Sequence, residues 1–137
     1  RGGYASCSVV VSGKEVGSPT VDTPDVLVVM SQQAAEKFAS TVPQGGVVLH
    51  EASLPRPIAR DGVRVLAFPA SKIAAEAGTP KAANTALLGA LTALDLHGLP
   101  EEKVLLALDA SFAAKPALVD RNRKVYQAAY AWAKENL

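Results

Sequence analysis

Short apolar segments without polar alternation constrain the fold of this chain more than any other sequence feature. Residues 26–30 (VLVVM) and 47–50 (VVLH) are segments of this kind, which is typical of strands covered on both faces. Between them, Ser31 can cap a helix whose apolar residues follow three and four positions later. A strand, a helix and a second buried strand in this order predict a parallel sheet.

The rest of the chain extends this pattern with one more strand and several helices. Residues 63–68 predict a third strand, in which apolar side chains alternate along the backbone. Pro, Ser and Gly signals then delimit four predicted helices. The first covers residues 72–77 with Ser71 as the cap, and the second opens at Gly78-Thr79-Pro80 and ends near Leu96-His97-Gly98. The third runs from Pro100 to Lys115-Pro116, and the last covers residues 120–136. Near the N-terminus, Ala5 to Ser12 is predicted as a strand that turns at residues 12–14 into Val16 as a hairpin.

These elements predict one α/β domain over residues 1–137. The expected architecture is a three-layer sandwich with a mostly parallel, twisted sheet, a hairpin near the N-terminus and a helical C-terminal part. Arg1-Gly2-Gly3 has no initiator Met and no lead-in to a first strand. The sequence is therefore expected to be a C-terminal piece of a larger unit.

Composition excludes several classes of protein. The 137 residues are 49% hydrophobic and 20% charged, which excludes intrinsic disorder. Lys and Arg (14) nearly balance Asp and Glu (13), and a nucleic-acid binder normally carries a basic excess. No apolar run approaches the roughly 20 residues that a membrane-spanning helix needs. The single cysteine, Cys7, excludes an internal disulfide and a cysteine-built metal site, and it favours a reducing cytoplasm.

The residues that could carry chemistry follow the predicted strands. In a parallel sheet, ligands bind beyond the carboxyl ends of the strands, here Ser31-Gln32, His50-Glu51 and Pro69–Ser71. The simpler interpretation, that the serines are helix caps and His50 faces solvent, is favoured. Two histidines far apart predict no metal site, and the absence of a Gly-x-Ser-x-Gly turn gives no catalytic triad. We therefore predict no catalytic residue and no metal ligand.

Two basic features leave alternatives open. Arg1-Gly2-Gly3 can present backbone N–H groups and a guanidinium to an anion, or it can be a flexible turn. Arg121, Arg123 and Lys124 indicate either an anionic partner or, with more weight, a solvated helix face.

Five segments in order resemble the gamma subunit, or gamma-type domain, of the 2-oxoacid:ferredoxin or flavodoxin oxidoreductases. They are RGGYASCSVVVS (1–12), GSPTVDTPDVLVVMSQ (17–32), PQGGVVL (43–49), FPASKIA (68–74) and KAANTALLGAL (81–91). Asn122, Tyr126 and Tyr130 fit the family's closing helix. The Gly-x-Gly-Gly-Gln-Gly loop that normally opens the family's domain is not found in this sequence. The resemblance therefore implies that the domain lacks its first strand and helix, and any function of that loop is in doubt.

The resemblance implies a subunit that completes a larger enzyme. In this family, thiamine diphosphate, iron–sulfur clusters and coenzyme A belong to partner chains, so this chain is expected to bind no cofactor itself. The implied reaction is oxidative decarboxylation of a 2-oxoacid to an acyl-CoA, with reduction of ferredoxin. The implied partners are alpha, beta and delta-type subunits. The segments YASCS (4–8) and MSQQ (30–33) resemble the 2-oxoglutarate type more than the pyruvate type.

The residues expected to face a cofactor or a partner are Arg1, Gly2, Gly3, Ser6, Ser31, Gln32 and Asn84. Two other functions remain open at this point. One is a free-standing α/β module that binds a small molecule near Ser31, His50 and Ser71. The other is a redox enzyme based on Cys7, although the sequence places no His or Lys beside this thiol to activate it.

Overall fold

The computed structural model describes residues 5–137, which form two compact units. The first unit extends to Ala67 and the second runs from Phe68 to Leu137. The elements of the first unit are β1 (Val26–Val29), α1 (Gln32–Phe38), a 3-10 turn (Ala39–Thr41), β2 (Val47–Glu51) and β3 (Arg64–Phe68). The last residue of β3, Phe68, begins the second unit.

The three strands form one sheet in the order β1-β2-β3. β1 and β2 are parallel, and their register pairs Val26 with Val47 and Val29 with His50. Gly46, just before β2, lies so close to Val42 that no side chain fits there: a Cβ at this position would lie 2.4 Å from Cγ1 of Val42. The predictions of an α/β fold, a parallel sheet and these three strands are confirmed.

Apolar side chains from the strands, from α1 and from the following loop form the core of the first unit. Its buried members are Val29, Ala35, Val42, Val48 and Val63. Leu54 and Ile58 pack against this cluster from the connection between β2 and β3, which contains no helix or strand. Apolar side chains thus anchor the long loop between β2 and β3 to the core that the sheet and α1 share.

The predicted hairpin near the N-terminus is wrong for the residues that the structure describes. Residues 5–25 contain no strand, and three consecutive valines in them, Val9, Val10 and Val11, are 76%, 39% and 52% exposed. Their Val-rich sequence has strand propensity, but a strand also needs a neighbour for its N–H and C=O groups. No such neighbour is found within residues 5–137.

The second unit is helical. It contains α2 (Ala70–Glu76), a 3-10 turn (Pro80–Ala82), α3 (Ala83–Ala93), α4 (Glu101–Ser111) and α5 (Pro116–Asn136). Two predicted boundaries are wrong. Ser71 does not cap α2, because the helix begins at Ala70 with Pro69 in the cap position. α5 begins at Pro116, whose fixed φ suits a first helical position, instead of at Asp120.

A glycine allows α3 and α5 to approach closely. A Cβ on Gly89 would lie 2.6 Å from the carbonyl oxygen of Tyr126 and 3.0 Å from Cβ of Ala129. Tyr126 packs with Val104 and Leu108 of α4, and Phe68 meets Trp132 edge to face with ring centroids 5.4 Å apart. The second unit therefore has its own core, in which α5 is the central helix.

The Tyr126 hydroxyl is expected to make this unit sensitive to alkaline pH. The side chain is 1% exposed, its hydroxyl donates to Glu101 at 3.2 Å, and burial raises its pKa to about 12. In the unfolded chain the tyrosine pKa is about 10, so the stabilisation is complete below pH 10 and is lost as the pH rises toward 12. Urea unfolding should show a free energy that falls by about 2 kcal/mol across this interval.

Other groups also titrate between pH 10 and 12, so the comparison needs the variant Tyr126→Phe. This variant should be less stable near pH 8, but its unfolding free energy should fall less steeply above pH 10. Parallel pH profiles for the two proteins would contradict the assignment to Tyr126.

Candidate functional site

The carboxyl ends of β1 and β2 bring polar residues together in the first unit. Val29 is paired with His50, so the residues that follow β1 and β2 leave the sheet at the same edge. Ser31 is the N-cap of α1, and its Oγ accepts a hydrogen bond of 3.2 Å from the N–H of Ala34. The interpretation of Ser31 as a cap is confirmed, and its role toward a partner remains a prediction.

Gln32 is engaged at both ends of its side-chain amide. Its Oε1 accepts from the backbone N–H of Arg56 at 3.1 Å, and its Nε2 donates to Glu36 at 3.3 Å. The guanidinium of Arg56 also forms an ion pair with Glu36. Sequence reasoning missed Arg56 and Glu36 as part of this site. The signal for Glu36 was its spacing of four residues from Gln32, which places both on one helix face.

His50 and Glu51 end β2 in different environments. The Nδ1 of His50 lies 2.9 Å from the carbonyl oxygen of Glu51, and a carbonyl only accepts, so the ring hydrogen is on Nδ1. Glu51 is only 5% exposed, and its Oε1 accepts a hydrogen bond of 3.2 Å from the hydroxyl of Ser53. This edge offers both hydrogen-bond donors and hydrogen-bond acceptors, together with one buried carboxyl group.

The other predicted residues lie elsewhere or outside the description. Arg1, Gly2 and Gly3 lie outside the described residues. Ser6 is exposed in the extended segment of the first unit. Asn84 belongs to the second unit, at the start of α3, where its Oδ1 accepts from the N–H of Thr85 at 2.9 Å. The structure therefore brings together Ser31 and Gln32 alone among the predicted residues.

From residue 5 to residue 137, no three or more His, Cys, Asp or Glu side chains are grouped so that they could hold a metal ion. The sequence has one cysteine, whereas an iron–sulfur cluster needs about four thiolates. Cys7 is exposed. The chain does not fit an iron–sulfur cluster of its own.

The basic residues of α5 do not act as one cluster. Arg123 donates two hydrogen bonds of 2.8 Å to the carboxylate of Asp109 on α4, which lowers the pKa of that carboxyl group and raises that of the guanidinium. Arg121 and Lys124 are exposed. Because α5 begins at Pro116, these residues lie beyond its first turn, where the helix dipole has little effect on them.

A shallow hollow of about 320 Å³ lies on the second unit between α2 and α5. It is lined by Ile73, Glu76, Ala77, Lys124, Ala128 and Trp132. Apolar side chains form most of the hollow, and Lys124 and Glu76 bring opposite charges to it.

Among the helices that the structure describes, none combines the length and the apolar character that crossing a membrane requires.

Sequence comparison relates the whole chain to one group of enzymes. The profile of the family described as pyruvate ferredoxin/flavodoxin oxidoreductase matches residues 1–132. The ketoisovalerate oxidoreductase subunit VorA of Methanothermobacter marburgensis is 44% identical over 137 residues, which are 100% of this chain and 29% of that protein. The 2-oxoglutarate synthase subunit KorC of Methanocaldococcus jannaschii is 39% identical over 97 residues, 69% of this chain and 52% of that protein.

Solved structures agree with these relatives. The gamma subunit of a keto/oxoacid ferredoxin oxidoreductase from Geobacter sulfurreducens has a TM-score of 0.67 and 29% identity, over 80% of this chain and 63% of that one. The 2-oxoglutarate:ferredoxin oxidoreductase of Magnetococcus marinus has a TM-score of 0.79 over 92% of this chain and 22% of that one. At 22% identity, the second likeness shows the fold alone. The chain spans about a third to a half of the curated relatives described above.

Proposed function

Since the chain belongs to the pyruvate ferredoxin/flavodoxin oxidoreductase family, we propose that it is the gamma-type unit of a 2-oxoacid:ferredoxin oxidoreductase. The complex would oxidatively decarboxylate a 2-oxoacid with coenzyme A and pass electrons to ferredoxin. Thiamine diphosphate and the iron–sulfur clusters would be held by alpha, beta and delta-type partners. The single observation that carries this proposal is the family match over residues 1–132.

The chemistry of the described residues supports a role in assembly. The edge that holds Ser31, Gln32 and His50 offers hydrogen-bonding groups, and next to it the hydroxyl of Ser53 donates to the carboxyl group of Glu51. A cofactor carries the difficult chemistry in enzymes of this kind, and the protein supplies binding and orientation. A unit of such an enzyme contributes through the surfaces that it presents to the other subunits.

The extended segment near the N-terminus is one such surface. Val9, Val10, Val11 and Val16 are among the large apolar residues that are exposed. A strand from elsewhere in the complex can cover these exposed side chains. Strand addition joins two polypeptides through main-chain hydrogen bonds and buries alternate side chains.

The substrate proposed first is 2-oxoglutarate, with pyruvate next, as the segments YASCS (4–8) and MSQQ (30–33) suggest. The ketoisovalerate oxidoreductase subunit VorA matches the full chain at 44% identity, so ketoisovalerate belongs in the same assay. Substrate selection is expected to reside beside the thiamine cofactor, on another part of the complex.

Reconstitution tests the proposal. The polypeptide that contains this chain should co-purify with its partners, and the complex should reduce ferredoxin or a viologen dye in the presence of a 2-oxoacid and coenzyme A. Omission of this chain should reduce the rate at least tenfold, because the assembly is then incomplete. The assay should compare 2-oxoglutarate, pyruvate and ketoisovalerate.

A control variant makes the result specific. Val9→Ser with Val11→Ser should weaken assembly, whereas Gln127→Ser on the exposed part of α5 should leave it unchanged. Turnover of a 2-oxoacid by the isolated chain would contradict the proposal. A complex that is fully assembled and active without this chain would contradict it as well.

A further inference from the structure

The connection between β2 and β3 is held at two places, once to α1 and once to the 3-10 turn and the residue that follow α1. Its residues 52–60, here called the strap, contain no helix or strand. At the inner anchor, the guanidinium of Arg60 donates to the carbonyl oxygens of Ala39 and Val42, the latter at 2.9 Å. Leu54 and Ile58 add apolar contacts with the core of the first unit. Half-buried charge-assisted hydrogen bonds and apolar packing make this anchor insensitive to salt.

The outer anchor is of a different kind. The backbone N–H of Arg56 donates to Gln32 at 3.1 Å, and the Arg56 guanidinium pairs with Glu36, which also accepts from Gln32 at 3.3 Å. The side chains of Arg56 and Glu36 are 66% and 52% exposed. An exposed ion pair of this kind contributes little to stability and is screened by salt.

We propose that the strap opens at its outer anchor alone, as a latch, while Arg60 holds its other end closed. A carboxylate on an approaching polypeptide can replace Glu36 as the partner of Arg56. The hydrogen bond from the Arg56 N–H to Gln32 then breaks, and the Gln32 amide is free to bind the same polypeptide. The fitting partner is therefore a surface that presents an acidic side chain. The last step rests on the proposed function, because it makes Gln32 a residue that contacts another subunit.

Hydrogen exchange of the full chain, measured by NMR without partners, tests the latch. Arg56 is flanked by Pro55 and Pro57, so its amide is the only one in this part of the strap. We expect its protection to fall about two- to five-fold in the variant Glu36→Gln, and similarly for the unaltered chain in 1 M NaCl. The amide of Val63, which donates to the carbonyl oxygen of Arg60, should keep its protection in both experiments.

The control variant is Glu135→Gln, which removes an exposed helical carboxylate from the second unit and should leave the Arg56 amide unchanged. The latch is wrong if Arg56 and Val63 lose protection by the same factor, since the strap then opens as one piece. It is also wrong if Glu36→Gln acts no differently from Glu135→Gln. Because the measurement uses the free chain, a failure to assemble contradicts the proposed function and leaves the latch standing.

Discussion

Gly89→Ala is expected to destabilise the protein by about 3 kcal/mol. The new methyl group would lie 2.6 Å from the carbonyl oxygen of Tyr126, and real Cβ atoms do not approach backbone so closely. Since the obstacle is the backbone of α5, the two helices must separate, and the packing along their contact loosens. Urea unfolding of the variant and the original chain measures the difference.

A gain in unfolding free energy in Gly89→Ala, instead of the expected loss, would be informative. Alanine has a higher helix propensity than glycine by about 1 kcal/mol, so a site without a close neighbour would gain stability. The control is Gly17→Ala, because a Cβ at Gly17 meets no heavy atom within 4 Å. This variant should change the unfolding free energy by less than about 0.5 kcal/mol. A stabilised Gly89→Ala protein would contradict the close approach of α3 and α5.

Asn122→Asp is expected to lower the unfolding free energy at pH 7 by about 3 kcal/mol. Asn122 is 4% exposed, and its Oδ1 accepts from the Thr85 hydroxyl at 2.7 Å while its Nδ2 donates to the carbonyl oxygen of Leu118 at 2.9 Å. The substitution preserves the shape of the side chain. It replaces the donor with an oxygen that faces the Leu118 carbonyl and introduces a negative charge into the core.

The pH dependence separates the charge from the lost donor. Burial raises the folded-state pKa of the introduced carboxyl group above its unfolded value, so the variant recovers stability as the pH falls and the protonated acid can donate to Leu118. Asn136→Asp is the matched control, because Asn136 also donates to a carbonyl four residues earlier, at 2.9 Å to Trp132, but is exposed. Its effect should stay within about 1 kcal/mol. Equal losses in both variants would contradict this account.

The fold could be predicted where local signals and packing agree. Residues 26–29 and 47–51 are apolar runs of strand length, and Ser31 is a side chain suited to a helix cap at the position where a helix begins. The predicted hairpin failed because strand formation depends on a partner strand. The predicted start of α5 at residue 120 is too late, because the prediction lets Lys115-Pro116 end the preceding helix, whereas proline equally suits the first turn of a new helix.

The candidate site was less predictable than the fold. The cap at Ser31 is a contact over three residues, and sequence reasoning can find contacts of that range. The bond from the N–H of Arg56 to Gln32 spans 24 residues, and that from Arg60 to Ala39 spans 21. Contacts over such separations depend on the path of the loop in three dimensions. No local pattern of charge or periodicity specifies that path, so Arg56 and Arg60 remained unassigned.

The three consecutive exposed valines also affect how this polypeptide behaves when it is prepared alone. With a net charge of +1, electrostatic repulsion between molecules is weak near neutral pH. An uncovered apolar strand-former can then pair with its counterpart in a neighbouring molecule, which is the first step of edge-to-edge aggregation. Co-expression with a chain that covers residues 9–11 should therefore improve the yield of monodisperse material more than any change of buffer.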